Sequence, residues 1–302
     1  MDQGIKVGEE QHYPQVDEKP NNPQVSGNDN KISQQYPVDI KQNNEISNSE
    51  EDPIIKAQLR NGFIRKVFGI VTFQLIFSFL FILMCNTKVV KKFISRNQTF
   101  WVLMTLSSVI CFIISACILT CNRRLARKVP HNYILLFFVT LSESILCATA
   151  ALHYSFDIVV TSILLTIGAA LGIIIYTLRT KRDLSGCGMT LMEFVFQLFF
   201  FGFINLFIRS KFLDLLYCFA VTALIGIYLV YDVQLITGKF GIEYSIDEYI
   251  FASMELYIDI IRLFLQILRI LGKLKNNNWN KKLMKKKYKI QFFSFFLFKL
   301  LI

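Results

Sequence analysis

Charge is scarce in this sequence: acidic and basic residues together make up 18% of the chain, against 53% hydrophobic residues. At that ratio, and with a mean hydropathy of +0.44, an ordinary water-soluble domain of this length is excluded, because there is too little polar surface to cover it. Histidine is nearly missing, since only His12, His131 and His153 occur and they lie far apart. Seven cysteines are present (Cys85, Cys111, Cys117, Cys121, Cys147, Cys187 and Cys218), but none forms a Cys-x-x-Cys pair and most sit inside apolar runs. The two absences together exclude a structural Cys/His metal centre, and the cysteines read as small apolar core residues. A charged-then-apolar leader is also lacking at Met1, so the first apolar run, near residue 67, is expected to serve as the targeting signal and leave the preceding tail in the cytosol. Acidic residues are outnumbered by basic ones, 22 to 33. The basic residues cluster beside apolar runs, as in membrane loops, which sets nucleic-acid binding aside.

What the chain does have is a succession of long apolar runs behind a polar beginning. Residues 1–55 are rich in Asn, Gln, Ser, Glu and Pro with almost no aliphatic clustering. Such a segment buries too little surface to offset its conformational entropy, so a disordered tail is expected. Residues 56–272 follow as the membrane domain. Windows of about 20 apolar residues, the length that crosses roughly 30 Å of hydrocarbon as helix, fall near 67–85, 99–121, 133–152, 158–178, 191–208, 213–236 and 249–271. The expected fold is therefore all-α: a polytopic integral membrane bundle of about seven transmembrane helices, with the lipid bilayer as its principal partner. Arg209, Ser210, Lys211 and Phe212 alone join the fifth and sixth spans, which requires a tight antiparallel hairpin. In the fourth span, Gly168 and Gly172 form a GxxxG pattern that reads as a close-packing surface for a neighbouring helix of the same chain.

Orientation follows from the basic clusters. Lys56, Arg60, Arg65 and Lys66 precede the first span, Arg123, Arg124, Arg127 and Lys128 follow the second, and Arg179, Lys181 and Arg182 follow the fourth, all on one side. The other side holds Lys88, Lys91, Lys92 and Arg96 after the first span, nothing basic after the third, and Arg209 and Lys211 after the fifth. The balance favours a cytosolic N-terminus. Against that scheme, residues 273–302 form a basic, then apolar, tail in which lysines from Lys273 to Lys289 would lie outside if the seventh span crosses. Either that segment stops short of crossing or the charge rule is overridden.

Ionisable side chains inside spans cost at least about 2.5–3.5 kcal/mol each, so those that persist usually face a partner, a cavity or an ion path. They are Glu143 in the third span, Asp232 near the inner end of the sixth, and Glu255, Asp259 and Arg262 in the seventh. The i, i+4, i+7 spacing of the last three puts them on one stripe that must face protein or water. At 1.5 Å per residue, Asp259 lies about 15 Å, Glu255 about 9 Å and Asp232 about 6 Å from the inner boundary, so Asp232 can meet either carboxylate. Two carboxylates meeting in an apolar bundle cannot both ionise cheaply. With one proton shared they clasp the sixth and seventh helices; with both ionised they repel and offer a passing site to a cation such as calcium. Arg262, one turn away, either favours the ionised forms or makes a static ion pair.

These residues complete a pattern. The sequence resembles the transmembrane Bax-inhibitor-motif family, and its lifeguard branch with long polar N-terminal tails, over about residues 59–272. The resemblance is carried by FIRKVFGIVTFQLIFS, PHNYILLFFVTLSES, YTLRTKRDLSGCG, YDVQLITGKF and EYIFASMELYIDIIRLFLQIL, in order on successive spans. It implies a calcium-permeable, pH-sensitive leak in endoplasmic reticulum, Golgi or a related membrane, with other endomembranes or the plasma membrane as alternatives. It also implies suppression of cell death through lowered stored calcium, with cell-death regulatory membrane proteins as partners. The family's paired aspartates carry over onto Asp232 and Asp259 as gating carboxylates, with calcium transient beside them and no resident cofactor. Glu255 and Arg262 stand where relatives usually have Asn, adding a charge of each sign beside that gate; Glu143 joins them as a further charge partner. No enzymatic activity is expected.

Two other functional classes compete. An intramembrane aspartyl protease also places an aspartate after a tyrosine on its sixth span, as Tyr231-Asp232 does here, but the glycine-flanked aspartate and the Pro-Ala-Leu stretch it needs are missing. A scaffold acting through partner proteins would depend on residues 1–53 and leave calcium flux untouched.

Overall fold

The computed structural model describes residues 38–208, 210–241 and 243–275. The chain divides into two units, 1–51 and 52–302. Residues 1–37 of the expected N-terminal tail and 276–302 of the lysine-rich C-terminal tail, including Lys281 to Lys289, lie outside the described residues, while residues 38–55, expected as part of the tail, belong to the first helix. Among those residues every regular element is helical: α1 (Val38–Cys85), α2 (Lys88–Arg96), α3 (Gln98–Cys121), α4 (Arg123–Arg127), α5 (His131–Ala151), α6 (Phe156–Arg179), α7 (Gly188–Ile208), α8 (Lys211–Thr237) and α9 (Tyr249–Lys275). Helices are what an apolar solvent demands, since each satisfies its own backbone N–H and C=O groups.

Among the described residues, six segments are long and apolar enough to cross a membrane: Ile55–Cys85, Gln98–Cys121, His131–Ala151, Phe156–Arg179, Ser185–Asn205 and Phe212–Thr237. The chain is a multi-pass α-helical membrane protein. The first crossing helix begins about a dozen residues before the expected apolar window, because Lys56, Arg60, Arg65 and Lys66 interrupt hydropathy without interrupting helix. The expected hairpin forms: α7 and α8 pack together, and the Ser210 hydroxyl caps α8 by accepting from the Leu213 N–H.

The expected seventh span falls on α9, which is 27 residues long, is not among those six, and occupies the centre. Every residue from Ala252 to Leu265 is buried, around the whole circumference rather than on one stripe. It packs against α5, α6 and α8 and touches α1 through Ser78–Tyr257 and Phe79–Phe264. A helix carrying three charges in its middle is expensive beside lipid, and enclosing it within less polar helices removes that contact.

α9 also runs the full length of the bundle. At the near face, where the first crossing begins, Ser253 donates to the α1 carbonyl of Val67 at 3.5 Å, and the loop before α9 is bound by Arg60. At the far face, Lys273 meets Asp214 at 2.5 Å and Arg269 meets the same carboxylate at 3.1 Å, while Gly272 lies against the Tyr154 ring. Of the lysines that counted against crossing, Lys273 is thus neutralised where α8 begins.

One expectation is corrected. Gly168 and Gly172 are both exposed, and a Cβ added at either would meet nothing within 4 Å. Their face of α6 points away from the bundle, because the side of α6 that packs is set by Ser162, Thr166 and Ala170.

At the near end of α8, Gly238 closes the helix with φ +63°, its N–H donating to the Gln234 carbonyl at 3.0 Å. A Cβ there would meet the Glu243 carboxylate and, at 3.0 Å, the Arg60 guanidinium. Gly238→Ala is expected to lower stability by about 1–2 kcal/mol from the left-handed backbone alone, read as a lower melting temperature of the detergent-purified protein. An unchanged melt would show that the turn is not held in this form.

Candidate functional site

The ionisable residues picked out from the sequence are all buried: Glu143, Asp232, Glu255, Asp259 and Arg262 are each 5% exposed or less. They lie in the interior that α9 shares with α5 and α8. Near the first-crossing face, the loop residue Tyr244 donates its hydroxyl to Glu255 Oε2 in a very short hydrogen bond. The same phenol lies within the field of Asp232 and Tyr231 from α8. Burial, reinforced by the negative charge of Glu255 and Asp232, holds the Tyr244 phenol well above its ordinary pKa. Tyr244 therefore stays protonated, and a donor, across the physiological range.

About two turns further along α9, Arg262 lies within the fields of Glu143 on α5 and of Asp259 on its own helix, beside Cys147. The guanidinium cannot shed its proton, so it is a permanent cation in the middle of the bundle. Glu143 is also the anion most distant in sequence from it, and only the packing of α5 on α9 brings them together.

Between Glu255 and Arg262 lies an uncharged polar layer that the sequence reading did not single out. Tyr257, fully buried, shares a hydrogen bond with Ser78 of α1 at 2.8 Å. Ser144 of α5 donates to Ser78 at 2.9 Å, and Gln74 of α1 donates to Thr140 Oγ1 at 2.7 Å. Buried polar groups are rarely left outside such networks. From Glu255 to Arg262 the polar column covers eight residues of α9, about 10 Å of rise.

α8 brings one more polar anchor to the near face. The Gln234 amide accepts from the Leu184 N–H and donates to the Arg182 carbonyl, both at 2.8 Å, fastening the segment between α6 and α7 against α8. Lys239 adds donations to Thr180 at 2.5 Å and Leu178 at 3.3 Å. Among the described residues no three His, Cys, Asp or Glu side chains converge as a metal site.

A family match takes in the stretch that holds the aspartate near the end of α8 and the charged centre of α9. The family described as inhibitor of apoptosis-promoting Bax1 covers residues 60–277. The chain belongs to the Bax inhibitor family. Its relatives include a Golgi anti-apoptotic protein of vaccinia virus (strain Lister), 33% identical over 217 residues, covering 70% of this chain and 86% of the viral protein. Bax inhibitor 1 of Schizosaccharomyces pombe is 31% identical over 224 residues, covering 74% and 80%. Protein lifeguard 4 of Mus musculus is 31% identical over 214 residues, covering 70% and 85%. The shared region is the helical bundle.

Proposed function

We propose that this protein is a pH-sensitive calcium leak of an intracellular membrane, which lowers stored calcium and thereby suppresses cell death. The observation that carries the proposal is the column of buried carboxylates and hydroxyls along α9. Such a column is costly unless it serves as a route or a switch. In it Asp232 of α8 and Asp259 of α9 are the gating carboxylates, and Glu255, their charge partner, is held by the Tyr244 phenol. When the carboxylates share a proton they bind each other or their neighbours and close the route; when ionised they attract a divalent cation, for which oxygen ligands are the natural partners.

The near face is the cytosolic one in this reading, because Lys56, Arg60, Arg65 and Lys66 collect there. The names of the relatives, a Golgi anti-apoptotic protein among them, support a Golgi or endoplasmic reticulum membrane and a role against cell death.

The test is reconstitution. The purified full chain in liposomes is expected to pass calcium, faster as pH rises through the titration of the carboxylates, and Asp232→Asn is expected to flatten that rise. No flux above that of empty liposomes at any pH would falsify the proposal.

A further inference from the structure

The near end of the column is covered, and the cover is fastened to a different helix. α8 ends at Thr237, so the carbonyls of its last turn have no partner within the helix. The carbonyl of Leu235 receives two outside donors instead: the Arg60 guanidinium of α1 at 2.5 Å and the Tyr244 N–H at 3.3 Å. Arg60 reaches the Tyr244 carbonyl with its other terminal nitrogen at 2.7 Å and lies 3.6 Å from the Glu243 carboxylate. Its guanidinium also stacks over the Phe63 ring at 4.8 Å, and its side chain is only 11% exposed. One cation thus binds both sides of the turn, holding it back over the end of α8. Hydrogen bonds from a charged donor are the stronger kind, and the rigid fork of arginine suits two acceptors at once.

What the turn carries inward is Tyr244. Its ring packs edge-on against Phe251 at 5.9 Å, and its hydroxyl closes on Glu255 within the field of Asp232. The phenol thus occupies Glu255 from the side of the connecting turn.

We propose that Tyr244 is the gate residue of this route and that Arg60 is its positioning residue: the phenol occupies the Glu255 carboxylate, and the guanidinium keeps the turn that bears it in place. The proposal rests on the calcium-leak reading for its consequence, but the latch itself is a separate claim about the 238–248 turn. Tyr244→Phe removes only the hydroxyl and keeps the ring. Arg60→Gln removes the fork, and Arg60→Lys keeps the charge with a single point of attachment. Because both residues serve one latch, opening it at either end leaves little for the second change to open.

Two measurements separate the claims. In liposomes holding the full chain, Tyr244→Phe and Arg60→Gln are each expected to raise calcium leak several-fold, with trapped calcein retained. The double variant should leak no faster than the faster single one, and Arg60→Lys should fall between Arg60→Gln and the unaltered protein. In detergent, trypsin cleavage after Lys239, read by fragment mass, is expected to quicken in Tyr244→Phe and Arg60→Gln, since proteolysis follows local opening. Unchanged cleavage in both variants overturns the latch whatever the flux. Additive leak in the double variant, or calcium leak unchanged in a protein that does leak, overturns it as well. If neither the unaltered protein nor any variant passes calcium, the leak reading fails, and faster cleavage after Lys239 still supports the latch.

Discussion

Arg262→Met is expected to destabilise the bundle by about 3–5 kcal/mol, the usual cost of removing one partner from a buried group of opposite charges. Arg262 is 5% exposed and lies within the fields of Glu143 and Asp259. Without the guanidinium, two carboxylates remain in an apolar interior with no fixed cation between them. The loss should be strongly non-additive with Glu143→Gln: the double variant Glu143→Gln/Arg262→Met leaves one carboxylate fewer to compensate and should recover a large part of the stability. Denaturant titration in micelles, followed by helical circular dichroism, measures all three. Additive losses would show that Glu143 and Arg262 do not share their charge, and would move Glu143 out of the α9 column.

Phe264→Ala should cost about 2–3 kcal/mol, somewhat below the 3–5 of a water-soluble core, because unfolding within lipid leaves the side chain in an equally apolar solvent and only the packing is lost. The ring is fully buried and meets Phe79 of α1 edge-on at 5.6 Å. Leu164→Ala on α6, 64% exposed within the described structure, is the counterpart and should change stability by no more than about 0.5 kcal/mol. The contrast tests the central position of α9 directly. If the two substitutions cost the same, α9 would be a peripheral helix with one protected stripe, and its charges would need another explanation.

The spans were legible in the sequence because hydropathy along a chain is a one-dimensional quantity and each crossing helix satisfies its own hydrogen bonds. Boundaries at 98–121, 131–151 and 156–179 lie within a few residues of the apolar windows. The start of the first crossing did not, because helix formation continues through Lys56 to Lys66 where hydropathy falls. The charged candidates were legible for a related reason: Glu143, Asp232, Glu255, Asp259 and Arg262 are rare in such surroundings and costly there. Ser78, Thr140, Ser144 and Gln74 were not. A hydroxyl in an apolar helix can bond its own backbone, as Ser144 also does with the Thr140 carbonyl at 2.6 Å, so its presence in a sequence announces nothing. Tyr244 was hidden differently, as one aromatic in a short connecting segment.

Composition and periodicity alone therefore determined that this chain is a helical membrane bundle, roughly where it crosses, and which side chains its interior has to accommodate. Only the tertiary structure decided that α9 is enclosed on every side, that Tyr244 binds Glu255, that Arg262 lies in the field of Glu143, and that Gly168 and Gly172 face outward. The physical reason is the range of the interactions. Crossing a membrane is settled within one helix, by residues a few positions apart. The neighbours of a buried charge are chosen by packing between helices, where Arg60 and Tyr244 meet across more than half the length of the chain.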